Sequence, residues 1–346
     1  MAETVRVGII GGGWPGGQHI KGYLGAGGWK IVAIADLIPS RREKMLAECP
    51  GARQYATAEE LLADKELDAV SVCLPNYLHL PITLACLKAG KHVVCEKPPA
   101  MNAGEAKKME AAARKADKVL LYGVQRRFGG AEQAAKQAID KGYAGEAYHA
   151  RSSWMRTRGI PIGTGWFIDK SKAGGGALID IGVHLLDLAW YLLGQPKPLS
   201  AYGVTHSRFA HTLGENKKID VDDAAFAMIR FEGGKSLEVA ASWAINQAPA
   251  QQGTICRVYG EKAAVEVYTP DGAILYRNFD PKGDAKPHPL KQPKLVSHMA
   301  LMRHFRDCIL GKAKPIIGGH EGVQLMQMLD AIYKSSQTGK SVEIRG

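Results

Sequence analysis

Short runs of β-branched and apolar residues recur through the first third of the chain, at 5–10, 31–35, 69–74, 92–95 and 119–122. Between them, segments 15–25, 41–49, 58–63, 80–89 and 103–116 carry apolar residues at helical spacing. Strand and helix in alternation predict a parallel sheet with crossover helices. After about residue 125 the pattern changes. A helix over 131–141 is followed by extended stretches at 147–154, 199–205, 224–231, 236–243, 254–259 and 263–268, and consecutive strands predict a mostly antiparallel second sheet. The polar, Pro- and Lys-rich stretch 280–294 reads as a surface loop, and helices over 297–310 and 322–338 close the chain. The expected fold class is α/β, with a doubly wound parallel sheet over 1–124 and an α+β domain with an open, mostly antiparallel sheet over 125–346.

Composition narrows the function classes. With 346 residues, 46% of them hydrophobic, the chain is long and apolar enough for two domains with large cores, which excludes a disordered protein. No run of about 18 uncharged apolar residues occurs and no signal-peptide pattern precedes the first strand, so a cytoplasmic protein with no membrane partner is expected. The six cysteines are scattered without disulfide or zinc spacing. A net charge of +11 raises the question of nucleic acid. The basic pairs Arg41-Arg42, Lys107-Lys108 and Lys217-Lys218 are dispersed and lack interleaved aromatics, so they read as solvated faces and no nucleic-acid partner is expected.

The strongest local signal is Gly8-Ile9-Ile10-Gly11-Gly12-Gly13-Trp14-Pro15-Gly16-Gly17, where Gly11, Gly13 and Gly16 fit G-x-G-x-x-G between a strand and a helix. Gly11 can make the tight turn, Gly13 admits a pyrophosphate to the backbone, Gly16 permits close helix-strand packing, and the helix start offers free N–H groups. Pro15 suits that first turn, where its missing donor costs nothing. Asp36 ends the second strand twenty residues beyond Gly16, where a carboxylate accepts hydrogen bonds from ribose hydroxyls. This favours NAD. Arg41, five residues on, could neutralise a 2′-phosphate, so NADP stays open.

Two further segments, His92-Val93-Val94-Cys95-Glu96-Lys97-Pro98 and Gly174-Gly175-Gly176-Ala177-Leu178-Ile179-Asp180-Ile181-Gly182-Val183-His184, make the sequence resemble the glucose-fructose oxidoreductase/inositol dehydrogenase family, Gfo/Idh/MocA. The resemblance spans essentially the whole chain. It includes Leu74, Pro75, Asn76 and His79, similar to the family's P-N-x-x-H cofactor loop, and Trp166, at the family's tryptophan beside the nicotinamide. It implies a Rossmann domain, then an α+β domain whose open sheet forms a homodimer or homotetramer interface, and hydride transfer to or from a sugar or cyclitol carbon. By the same resemblance Glu96 and Gln125 are cofactor-contact candidates, Gln125 standing where many members have asparagine. Trp14-Pro15 departs from the small residues usual in the turn, and Phe167 from the arginine some members carry.

The residues make chemical sense by themselves. Asp180 and His184, four apart on one helix, share a face and can converge on one substrate. Histidine titrates near neutrality, which makes His184 the candidate general base. Lys97, also a cofactor-contact candidate, stands at the carboxyl end of a parallel strand, where its ammonium could hydrogen-bond the reacting oxygen and stabilise developing alkoxide. Asp180 would orient substrate hydroxyls or His184. No metal is called for. Two competing readings keep the cofactor: a redox-neutral sugar lyase or glycosidase, and a non-catalytic sensor.

Overall fold

The structure is a computed structural model that describes residues 4–163, 165–213, 219–268, 272–277 and 283–345. In chain order its elements begin with β1 (Val5–Ile10), α1 (Trp14–Ala26), β2 (Trp29–Ala35), α2 (Pro39–Glu48), β3 (Arg53–Tyr55) and α3 (Ala58–Leu62). Next come β4 (Ala69–Val72), α4 (His79–Lys88), β5 (His92–Glu96), α5 (Ala103–Ala116), β6 (Leu120–Gly123), α6 (Gly130–Asp140) and β7 (Ala147–Met155). Helices α7 (Lys170–Ala173) and α8 (Val183–Leu192) precede β8 (Pro198–His206), β9 (Ala224–Phe231), β10 (Ser236–Ser242), β11 (Gly253–Gly260) and β12 (Ala264–Tyr268). The chain ends with β13 (Gly272–Arg277), β14 (Lys286–Pro289), α9 (Ser297–Ile309), α10 (Gly319–Thr338) and β15 (Val342–Glu343).

Two compact units emerge, one from Met1–Phe128 with Leu295–Met326, the other from Gly129–Lys294 with Gln327–Gly346. The first unit takes in α9 as well as the chain up to Phe128. Side-chain fit explains why. The Trp29 indole donates to the Met302 carbonyl at 3.1 Å and stacks on Phe305 at 5.6 Å. Gly22 lets α9 lie against α1, since a Cβ there would stand 3.1 Å from the His298 carbonyl oxygen.

The first unit holds a six-stranded sheet in the order β3-β2-β1-β4-β5-β6, every pairing parallel. Strands β1, β4, β5 and β6 are buried on both faces, as helices on both sides require, whereas β3 at the edge is exposed. The chain reverses direction of travel across the sheet between β1 and β4, and ligands of such sheets sit at the carboxyl ends of the strands there. Strand β3, three residues of Arg-Gln-Tyr, carries no periodic signal and escapes a reading of the sequence. Helix starts follow local chemistry: Thr57 and Glu60 form a reciprocal capping box on α3, and Asn102 accepts from the Glu105 N–H at 3.0 Å on α5. Lys107 and Lys108 lie on the exposed face of α5, whereas Lys217-Lys218 falls outside the described residues.

The second unit is built on a nine-stranded sheet in the order β14-β13-β12-β11-β7-β10-β9-β8-β15, parallel only between β7 and β10. Within the stretch read as a loop, 280–282 lies outside the described residues, but 286–289 forms β14 against β13. Pro287 and Pro289 disguised it; proline cannot donate to a ladder and is tolerated here because β14 is the sheet's edge. Strand β9 alternates strictly: Ile229 and Phe231 are buried, while Phe226 and Met228 are exposed on the opposite face. Among the described residues one stretch, Lys170–Leu192, is apolar and long enough to cross a membrane, yet 89% of its most apolar window is buried inside the unit, as in a core helix. All six cysteines are buried free thiols.

Candidate active site

In the first unit the site begins at the turn from β1 to α1. Gly11 has φ +103°, and a Cβ on it would come within 2.2 Å of the Cys73 carbonyl oxygen. A Cβ on Gly16 would stand 2.0 Å from the Gly11 carbonyl oxygen. Gly13 differs: its Cβ would meet nothing nearer than Pro15 Cδ at 3.7 Å, and as the N-cap of α1 it has no side-chain cap. The first two glycines are thus demanded by the fold, and the third leaves an open, electropositive helix start that fits a pyrophosphate. Pro15 lies in that first turn, and Trp14 beside it is 71% exposed, edge-on to His298 at 6.4 Å.

Asp36 closes one end of this cradle. Its carboxylate accepts the Gly12 N–H at 2.7 Å and the Ile38 N–H at 2.8 Å, so it is aimed by the backbone at the glycine turn. The Arg41 guanidinium lies 3.8 Å away, and Arg42 donates to the Asp36 carbonyl at 2.6 Å. Beside Asp36 a cavity of about 350 Å³ is walled by apolar groups that include Ile38, Leu74, Pro75 and Leu78. Such an apolar recess next to a carboxylate fits an adenine ring.

Not every candidate faces that space. Asn76 is buried in the short helical turn Asn76–Leu78. His79 is fully buried and puts one ring nitrogen 2.8 Å from the Pro98 carbonyl and the other 2.9 Å from the Leu74 carbonyl. Its ring ties the loop after β4 to the loop after β5. Burial, the largest influence, outweighs those two carbonyls and depresses its pKa. Glu96 is likewise engaged inward: Oε1 accepts from His19 Nε2 at 2.8 Å and Oε2 from the Lys97 N–H at 3.1 Å. Lys97 itself is half-buried at the carboxyl end of β5, and Gln125 begins the turn Gln125–Phe128 directly after β6. His19, Tyr23 and Ser71, all buried and hydrogen-bonded together beneath Glu96, were missed by sequence reasoning; the available signal was a histidine on the inward face of α1.

In the second unit the run Gly174-Gly175-Gly176 bends into a π-helical turn, Leu178–Gly182, that leads into α8. A Cβ on Gly176 would stand 1.8 Å from the Asp222 carbonyl oxygen, and one on Gly175 2.1 Å from the Tyr333 hydroxyl. The Asp222 carboxylate accepts the Gly176 N–H at 2.7 Å, the Leu178 N–H at 2.9 Å and the Tyr333 hydroxyl at 3.0 Å. Burial, its largest influence, raises the Asp222 pKa in spite of those donors. This buried acid, unnoticed in the sequence, caps the helix that carries the candidate chemistry. π-Turns are rare and are frequently found at functional sites.

Asp180 lies in the π-turn and accepts the Trp243 indole N–H at 2.9 Å. His184 follows on α8, 5% exposed, its ring 6.0 Å from that of Trp154. Both tryptophans belong to an apolar cluster with Ile168, Ala177, Ile181 and Val221. Asp187, one turn further along α8 and fully buried, is another polar residue that sequence reasoning passed over. Trp166 stacks on Phe167 with ring centres 3.8 Å apart. The unit thus offers an acid in the π-turn and an imidazole on the buried helix that follows, flanked by aromatic rings, an arrangement suited to the apolar faces and hydroxyl edges of a carbohydrate.

Comparison with known proteins agrees with this geometry. Residues 5–124 match the family model described as an oxidoreductase family, NAD-binding Rossmann fold, and residues 133–266 match the GFO/IDH/MocA C-terminal domain. The chain is 32% identical to D-glucoside 3-dehydrogenase of Escherichia coli (strain K12), over 99% of this chain and 98% of the relative. It is 26% identical to myo-inositol 2-dehydrogenase of Thermotoga maritima over 98% of each. A solved levoglucosan dehydrogenase, in complex with NADH and levoglucosan, superposes with a TM-score of 0.89 at 23% identity, covering 99% of this chain and all of the other, and so shares the fold.

Proposed function

The chain belongs to the Gfo/Idh/MocA family of NAD-binding oxidoreductases, and from that premise we propose that it oxidises one secondary alcohol of a pyranose glycoside or cyclitol. The observation that carries this reading is the pairing of Asp180 and His184 in a buried helix beside Trp154 and Trp243. Binding alone has no use for an acid and a base placed there. NAD, when bound, supplies the hydride acceptor. His184 takes the hydroxyl proton, Asp180 orients the sugar by accepting from its hydroxyls, and Lys97 holds the oxygen on which negative charge develops. The two relatives cited above are named for a D-glucoside and for myo-inositol, which share a six-membered ring of contiguous secondary hydroxyls and support that substrate class.

The test is a panel of methyl β-D-glucoside, levoglucosan, 1,5-anhydro-D-glucitol, myo-inositol and D-glucuronate, read by NADH absorbance and by mass spectrometry of products. One NADH per ketone formed supports the reading. Product without net NADH would make the chemistry redox-neutral, and binding without product would make the protein a sensor; either overturns it.

We also propose a homo-oligomer. Tyr202, Val204, Phe226 and Met228 share the exposed face of β8 and β9, where Tyr202 pairs with Met228 and Val204 with Phe226, an apolar patch that a second copy would cover. Sedimentation showing only a 37.3 kDa species at micromolar concentration would refute this.

A further inference from the structure

Helix α1 turns a polar residue toward its sheet. His19 is fully buried there, its Nδ1 3.0 Å from Ser71 Oγ and its Nε2 2.8 Å from Glu96 Oε1. The Tyr23 hydroxyl reaches the same Ser71 at 2.6 Å. Because a carboxylate accepts, His19 Nε2–H is the donor to Glu96, and the other carboxylate oxygen takes the Lys97 N–H. Gly123, paired with Glu96 across β5 and β6, makes the room: a Cβ there would stand 2.8 Å from Glu96 Oε1. Three elements and a glycine therefore converge to seat one carboxylate under the backbone of Lys97.

Burying a carboxylate costs several kcal/mol unless it is hydrogen-bonded, so a mere core position would be filled better by an apolar residue. Burial alone would raise the Glu96 pKa, but the His19 hydrogen bond and the basic groups of His19, Lys97 and His298 carry it below the ordinary value, leaving it ionised. The titratable groups facing it are His19 from α1, His298 from α9, Cys73 after β4, Cys95 on β5 and Lys97. Both thiols are pushed up by burial and stay neutral.

We propose that His19 and Glu96 are a positioning pair for Lys97, fixing the backbone that carries its ammonium. The assignment rests on the role given above to Lys97, but one arm of its test needs no substrate. Trace acetic anhydride at pH 8, followed by peptide mass spectrometry, reads the reactivity of each lysine amine. In Glu96→Gln, which keeps shape and one acceptor but weakens the grip on the Lys97 N–H, the half-buried Lys97 amine reaches solvent more often and its acetylation relative to the other lysines rises at least about threefold. In the second arm, kcat on the best panel substrate falls about tenfold or more while the NADH Kd, from fluorescence titration, stays within twofold. His19→Leu behaves alike; should it fail to fold, Glu96→Gln alone carries the test. Parent-level labelling overturns the proposal, and so does a loss of NADH affinity as large as the loss of kcat, which would mark a purely structural role. Increased labelling with no panel turnover in the parent would leave the pair standing and remove the substrate class instead.

Discussion

The two units reach their functional groups by opposite routes. In the first, the backbone does most of the shaping: at Gly11 and Gly16 an added Cβ would stand only 2.2 and 2.0 Å from a carbonyl oxygen, and Asp36 is aimed by two N–H groups. In the second, side chains from distant connections, before β9 and after β10, hold a helix in place: Asp222 caps the π-turn from 46 residues away and Trp243 fixes Asp180 from 63. A backbone-built site leaves its mark in a short, contiguous motif. One built by long-range side-chain bonds scatters that mark along the chain.

The largest effect that would sharpen the contrast comes from separating cradle and chemistry in the first unit. Lys97→Met should lower hydride transfer at least about a hundredfold while NADH affinity stays within twofold. Joint collapse of both would mean that the strand end is part of the cradle.

This difference explains what was legible. The glycine turn, Asp36, and the Asp180/His184 spacing stand within single segments, so periodicity and motif suffice to find them. The return of α9 to the first unit is invisible to such reading, because only the fit of Trp29, Phe305 and Gly22 produces it. The partnership of His19 and Glu96 spans 77 residues, and His79 reads as a ligand group until both ring nitrogens are seen on backbone carbonyls. Strand β14 was hidden by prolines that only an edge tolerates.

Glycine substitutions come next in size. Gly176→Ala and Gly16→Ala should each cost about 3 kcal/mol in denaturant unfolding, because backbone atoms stand 1.8 and 2.0 Å from the added carbon. Gly13→Ala should leave the melting temperature within about 2 °C yet weaken NADH about tenfold, since only open space is filled. Equal destabilisation by all three would erase the distinction between glycines required by fold and by ligand. Asp36→Ser should raise the NADP-to-NAD preference about tenfold, read from Kd for each cofactor; an unchanged ratio would remove Asp36 from the ribose site.

The smallest effect is on stability against pH, where the units should respond in opposite directions. His92 Nδ1 accepts the Val119 N–H at 3.0 Å, which only an unprotonated nitrogen can do, and burial holds the pKa at about 4. The unfolded chain protonates near 6.5, so this contribution is complete above that value and is lost as pH falls toward 4. Asp222, raised by burial, contributes fully at low pH and loses its contribution as pH rises through the raised value. His92→Gln should shrink the fall in melting temperature between pH 7 and 5 by about 2 °C. Hydrogen exchange should show acid loosening around β5 and β6 and none around Gly176 to Leu178. Equal loosening of both segments would deny the opposed signs.

The central claim is that the second unit supplies the base for hydride transfer, and single-turnover NADH formation by His184→Ala with the best panel substrate tests it most directly. The account predicts a rate at least about a hundredfold below the parent with NAD affinity unchanged. A near-parent rate would contradict it, because the hydroxyl proton would then leave without His184.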